Sequence, residues 1–256
     1  MAHDVDFAGR VLAAATVLKN EVAGLKFSEP VTHVINPLDY AWELHAAWVR
    51  TWGASPRRVL FLGMNPGPWG MAQTGVPFGE VAAVRDWLRL RGTVRRPAGE
   101  HPRRPIRGLD CPRSEVSGRR LWGFFAERFG SPTAFFREHF VLNYCPLVFM
   151  EAGGRNRTPD KLPAGETTRL FGACDRRLRD VVRWYAPRWV VGVGGFATRK
   201  LEALFGAQAA AAANGIGAAA TAPRIGTVLH PSPASPLANR GWAQAAEKQL
   251  REQEIW

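Results

Sequence analysis

The sequence predicts an α/β fold in which a mostly parallel four-stranded sheet is covered on both faces. Three observations carry that prediction: four short apolar runs, helical periodicity between them, and Pro- or Gly-marked turns directly after them. In chain order, residues 8–24 are rich in Ala and Val and predict a helix. Residues 38–52 place apolar side chains at helical spacing, with Gly53 as a natural stop. Residues 57–64 (Arg-Arg-Val-Leu-Phe-Leu-Gly-Met) are a short continuous apolar run ending in a turn, which reads as a buried strand. Runs of the same kind follow at 140–143, 189–193 and 225–229. Helical patterns lie between them at 80–91, 117–129, 164–185 and 195–205, and a final helix spans 238–252. The length suits a single domain over 1–256, with 1–27 expected as an N-terminal helical extension.

Right-handed crossovers in such a sheet bring every strand's C-terminal end to one edge, where ligands bind. The four predicted exits are Met64-Asn65, Asn143-Tyr144, Gly194-Gly195 and His230-Pro231. Three of them carry an amide or imidazole with Pro at once or after two intervening residues. Two segments interrupt the alternation. Residues 91–120 hold nine Arg against three acids, with four Pro, and are expected to be irregular and basic. Residues 206–223 are Gly- and Ala-rich, a variable surface stretch in which periodicity does not decide whether the Ala run is helical.

A formal charge of +12 and a pI of about 10.7 favour a polyanionic partner, nucleic acid first. Only five of the 34 basic residues are Lys, so a GC-rich coding sequence would give the same excess of Arg. Cys111, Cys145 and Cys174 are odd in number and far apart, with no CxxC pair. That argues against a cysteine metal site, and no metal or cofactor is expected. It also fits a reducing, cytoplasmic compartment of bacterial type. No run of about 18 apolar residues is present, so no membrane span is expected.

Residues 63–70, Gly-Met-Asn-Pro-Gly-Pro-Trp-Gly, form a rigid turn whose backbone can approach a ligand closely. Phe78 sits between Pro77 and Gly79 on a constrained loop, either as core or as a stacking platform for a flat ring. Asn143 precedes Tyr144-Cys145-Pro146. His230 opens His-Pro-Ser-Pro-Ala-Ser-Pro, where three Pro in six residues stiffen the exit. Each motif alone also fits an ordinary loop, cap or structural histidine.

Together these motifs resemble the uracil-DNA glycosylases, in the single-strand-selective monofunctional branch. The resemblance rests on 63–80 and on His230–Pro233. It extends to His101–Pro105, Leu109–Gly118, Trp122–Phe125, Asn143–Leu147, Arg155–Pro159, Val190–Gly194 and Asn239–Trp242, and runs from about residue 28 to the end. It implies a three-layer α/β/α sandwich and base excision repair. It further implies that His230 donates to uracil O2 as charge develops there. Asn143 reads the base edge, Asn65 positions the attacking water, Phe78 stacks on the flipped ring, and Met64, Gly67 and Met71 shape the pocket. Gly67 stands where sister families carry a Tyr wall, which implies room near C5 and acceptance of 5-hydroxymethyluracil. No Lys lies near these motifs, so a Schiff base and strand cleavage are not expected.

The expected partner is single-stranded or duplex DNA containing uracil, bound by a monomer. Its phosphates would meet Arg103, Arg104, Arg113, Arg155 and Arg157, with Ser232 and Arg240 beyond the last strand. Relatives often carry Arg directly after His-Pro-Ser-Pro, in a wedge that fills the gap left by the flipped base; here the residue is Ala234. Two other readings fit the same residues: a same-fold glycosylase for hypoxanthine or xanthine, and a module that holds damaged bases without cutting.

Overall fold

The computed structural model describes residues 6–213 and 222–256. Helix α1 (Phe7–Ala23) is followed by β1 (Val31–Ile35), α2 (Pro37–Tyr40), α3 (Trp42–Trp52), β2 (Val59–Gly63) and α4 (Met71–Thr74). Then come α5 (Val116–Phe129), α6 (Pro132–Phe136), β3 (His139–Asn143), β4 (Val148–Glu151) and β5 (Asn156–Arg157). Helix α7 (Ala164–Tyr185), β6 (Trp189–Val193), α8 (Gly195–Ala213), β7 (Arg224–Val228), α9 (Pro236–Asn239) and α10 (Trp242–Glu252) complete the order.

The central sheet has the order β3-β2-β6-β7, and all its pairs are parallel. Strands β2, β3 and β6 are buried at every position, as continuous apolar runs require. Phe61 of β2 packs on Phe125 of α5, and Phe124 of α5 on Trp242 of α10, so α5, α6 and α10 cover one face. On the other face Phe140 of β3 stacks on Trp48 of α3 and on Tyr185 of α7. The molecule is therefore a three-layer α/β/α sandwich. Because β2 lies between β3 and β6, the crossovers leave it in opposite directions and open a crevice at its C-terminal end.

The helix expected as an N-terminal extension lies against α7 and α3, burying Val11, Ala15, Leu18 and Val22. The predicted 38–52 helix is two helices. Asn36 caps the first, its side chain accepting from Leu38 N at 3.0 Å. The break falls after Tyr40, whose hydroxyl donates to Ala72 O at 2.7 Å and so tethers α2 to α4, inside the loop that follows β2. The predicted 80–91 helix is a single wide turn over 83–87, closed by Leu88 N to Ala83 O at 2.8 Å. The final predicted helix is likewise split, into α9 and α10. Helix α8 runs through the Ala stretch to Ala213; the rest of that stretch, 214–221, lies outside the described residues.

A second, antiparallel sheet of order β1-β4-β5 was not expected. Its strands are short, and two polar residues interrupt Val31-Thr-His-Val-Ile, so local pattern alone does not mark them. This sheet flanks the functional edge and carries Asn156 to it.

Candidate active site

Strands β2 and β3 are in register with Gly63 opposite Asn143, and Tyr144 N to Gly63 O (3.0 Å) and Cys145 N to Met64 O (2.9 Å) continue the pairing past the strand ends. This register carries Asn65 and Asn143, 78 residues apart, to the same edge. The loop after β2 adds Met64, Gly67, Met71 and Phe78, and the exit of β7 adds His230. All seven line one cleft of about 410 Å³. The Gly194-Gly195 exit is not among its walls; Gly194 N donates to Val228 O at 2.8 Å and supports the strand that leads to His230.

Phe78 holds a left-handed backbone, φ 53°, which is costly for an aromatic residue by about 1–3 kcal/mol. Its carbonyl accepts from Trp122 Nε1 (3.1 Å) and Glu80 N (2.7 Å), and these bonds fix the conformation. The ring lies 6.0 Å from His230, centroid to centroid, tilted by 41°.

The two amides differ in their tethers. Asn65 Nδ2 donates to Leu147 O at 3.2 Å, leaving Oδ1 as an acceptor toward the cleft. Asn143 Nδ2 donates to Met71 Sδ at 3.2 Å, while its buried Oδ1 has no donor. A buried acceptor without a partner costs about 1–3 kcal/mol, which a ligand N–H would recover. Gly63 permits this arrangement. A Cβ there would lie 2.3 Å from Asn143 Oδ1 and 2.5 Å from the Phe78 ring. Behind Asn143 the buried guanidinium of Arg177 donates to its carbonyl at 3.2 Å.

His230 Nδ1 accepts from Ser232 N at 3.1 Å. That bond places the ring proton on Nε2 and makes the imidazole a donor. Burial pushes the His230 pKa down to about 4, so the ring is neutral at pH 7. Ser232, expected on DNA, thus also orients His230.

Gly67 departs from the expectation of open space. A Cβ there would stand 1.9 Å from Glu115 Oε1. The Glu115 carboxyl occupies that volume, accepting from Trp69 N at 3.0 Å, and burial raises its pKa. Ala234, read from the sequence as the wedge position, is a further wall, and so are Glu115, Ser117, Asn156, Thr158 and Ser235, which sequence reasoning did not assign. Glu115–Ser117 and Asn156–Thr158 fall inside motifs that carried the resemblance, so their position there was the available signal. Arg120 was also missed: it donates to Pro231 O (3.0 Å) and Asn239 Oδ1 (2.9 Å), bracing the His230 loop.

The expected phosphate contacts divide. Arg157 is engaged within the chain by Glu151 (3.0 Å) and Lys161 O (2.8 Å), and Arg155 reaches Glu151 at 3.4 Å. Arg103 is exposed and reaches Gly153 O at 3.4 Å; Arg240 is exposed on the rim loop. Arg104 and Arg113 both lie over the Trp69 ring. Among the described residues no group of three or more His, Cys, Asp or Glu is arranged to hold a metal ion, and no helix is long and apolar enough to cross a membrane.

The profile of the Uracil DNA glycosylase superfamily matches residues 51–253. The chain belongs to that superfamily. A Bos taurus relative, "single-strand selective monofunctional uracil DNA glycosylase", is 49% identical over 235 residues, 92% of this chain and 82% of its own. A Rattus norvegicus relative of the same description is 50% identical over 236 residues, covering 92% and 81%. In three dimensions this superfamily member is similar to the crystal structure of wild-type Pedobacter heparinus SMUG2, with a TM-score of 0.68 at 16% identity over 98% of each chain. That likeness bears on the fold.

Proposed function

We propose that the protein is a monofunctional DNA glycosylase that hydrolyses the N-glycosidic bond of uracil in DNA during base excision repair. The observation that carries this reading is the convergence of Asn65, Asn143, Phe78 and His230 on one cleft from four separate segments. A uracil turned out of the strand stacks on Phe78. Asn143 Oδ1 takes the N3–H and its remaining Nδ2 proton goes to O4. Cytosine presents the reverse pair, so it leaves two buried polar groups opposed, at about 1–3 kcal/mol each. The C1′–N1 bond breaks with its electron pair leaving on the base, and negative charge grows on O2. His230 Nε2–H meets that charge, a contribution of about 3 kcal/mol by analogy with oxyanion holes.

The sugar cation at C1′ is trapped by water held on Asn65 Oδ1. A C1′–O bond forms and the water's proton passes to solvent or to the departing uracil anion. An amide accepts no proton near pH 7, so Asn65 orients the water and the base leaves first. None of the residues that line the cleft is Lys, which supports a reaction that stops at the abasic site. We extend the reading to 5-hydroxymethyluracil, because the wall beside Gly67 is a carboxyl that can hydrogen-bond a substituent. Single-stranded or mismatched DNA is the preferred substrate: Ala234 at the mouth offers little to replace an extruded base, and unpairing costs a few kcal/mol. One chain supplies every residue named, so a monomer suffices. Three free, buried cysteines accord with work in the cytoplasm, on nucleoid DNA.

The test is single-turnover cleavage of a uracil oligonucleotide, read with and without alkali. Abasic sites that break only after alkali are expected, with a loss of more than tenfold in Asn65→Ala. An absence of abasic sites with the wild-type chain overturns the reading.

A further inference from the structure

Trp69 has no part in the chemistry above, yet it stands at the end of the turn that carries Asn65. Its backbone N–H donates to Glu115 Oε2 at 3.0 Å, so its main chain is tied to the cleft wall. The guanidinium carbon of Arg104 lies 5.0 Å from the indole centroid, and that of Arg113 lies 5.2 Å away. The two arginines come from the irregular basic excursion. Arg104 Nε donates to Gly154 O at 2.9 Å, which leaves its terminal nitrogens. Arg113 is exposed, and neither guanidinium has a carboxylate within 4.0 Å among the described residues.

Two like charges drawn to one ring and paired with no acid form an arrangement suited to an external anion. A guanidinium that rests on an aromatic ring spends only its π-face; its in-plane N–H groups stay free and are held in a fixed fork. Forks of that kind match the two free oxygens of a phosphodiester.

We propose that Trp69, Arg104 and Arg113 form a phosphodiester clamp that grips the DNA strand beside the extruded nucleotide. This rests on the DNA-glycosylase reading and adds to it an uncharged residue that determines where two cations stand. Trp69 acts as a positioning residue: it preorders the arginines, and they make the contact.

The experiment measures affinity for a single-stranded oligonucleotide bearing 2′-fluoro-2′-deoxyuridine, as a function of KCl, by fluorescence anisotropy. Arg104→Gln and Arg113→Gln should each flatten the slope of log K against log [salt] by about 0.7, the value for one phosphate contact on a single strand. Trp69→Ala should weaken binding at least fivefold and also flatten the slope, although it removes no charge; Trp69→Phe should restore most of both. In single-turnover cleavage the loss should fall on the half-saturating enzyme concentration. Arg188→Gln, exposed beside the start of β6 at the opposite edge of the sheet, serves as the control and should leave the slope unchanged.

Equal flattening in Arg188→Gln would mean diffuse charge and overturn the clamp. So would unchanged slopes in both Arg104→Gln and Arg113→Gln. A Trp69→Ala variant that lowers only the saturating rate would assign Trp69 to support of the Asn65 turn instead. Cleavage of a uracil oligonucleotide read alongside separates the two ideas: salt-dependent binding that responds to these substitutions, with no abasic sites formed at uracil by the wild-type chain, would spare the clamp and remove the glycosylase.

Discussion

Substituting Gly67→Ala tests what the empty position at Gly67 is for. If it serves only to leave room for the substrate, alanine should spare stability and cost activity on bases with a C5 substituent alone. The structure predicts otherwise. The new Cβ would lie 1.9 Å from Glu115 Oε1 and 2.5 Å from its Cδ, against about 3.4 Å for an ordinary contact. Gly67 is not in a left-handed conformation, so backbone strain does not enter. The obstructing atoms are the far end of a flexible side chain, so the cost of a retreat lies in the bond Glu115 accepts from Trp69 N, 3.0 Å long. Losing that bond and leaving the Trp69 N–H without its acceptor costs about 1–3 kcal/mol. At about 2 kcal/mol the melting temperature falls by roughly 4–8 °C for a chain of this size. Excision of plain uracil should fall as well, because the displaced turn carries Asn65. The decisive measurement is a double-mutant cycle by thermal or urea melts. In a Glu115→Ala background the same Gly67→Ala change should cost less than about 0.5 kcal/mol, since the obstructing carboxyl is gone. Equal penalties in both backgrounds would refute the argument and return Gly67 to the role of a substrate gate.

Asn143→Leu should abolish uracil excision yet leave the melting temperature unchanged or higher by up to about 1 kcal/mol of stability, because it removes a buried acceptor that has no donor in the free protein; a strongly destabilised variant would contradict that account. His230 is neutral well below pH 7, so the single-turnover rate should be flat from pH 8 to 5 with no break near 6.5, and His230→Leu should lose about 10²-fold; a titration at 6.5 would sink the buried-tautomer argument. Stability should nevertheless fall with acid, since the buried His45 and His139 are both held down to about 4. The unfolded chain binds those protons near 6.5 and the native state does not, so each contributes a loss of about 3 kcal/mol between pH 6.5 and 4; urea midpoints that match at pH 7 and pH 4.5 would exclude it. Leu237, 61% exposed on the rim three residues past Ala234, is the apolar side chain available to fill a vacated stack, so Leu237→Ala should slow excision from a U·A duplex several-fold more than from a single strand.

The parallel sheet was legible because three of its strands, β2, β3 and β6, are buried apolar runs that local pattern exposes, and the long helix α7 coincides with the residues its periodicity marks. The candidate chemistry was legible for a related reason: Asn65, Asn143 and His230 stand at strand exits, and topology alone sends parallel strand exits to one edge. The second sheet escaped notice because strands of two to five residues with interrupted patterns depend on partners distant in sequence, as Val31 does on Glu151. The same dependence hid Glu115. That a carboxyl from the start of α5 fills the space beside Gly67 follows from how a helix and a turn dock, and no local pattern encodes docking. The orphaned oxygen of Asn143, the proton location on His230 and the pairing of two arginines on Trp69 are likewise properties of neighbours. The sequence by itself determined which residues stand at the ends of the strands; the tertiary structure decided what surrounds each one, because hydrogen-bond partners, burial and excluded volume come from segments that meet only when the chain is folded.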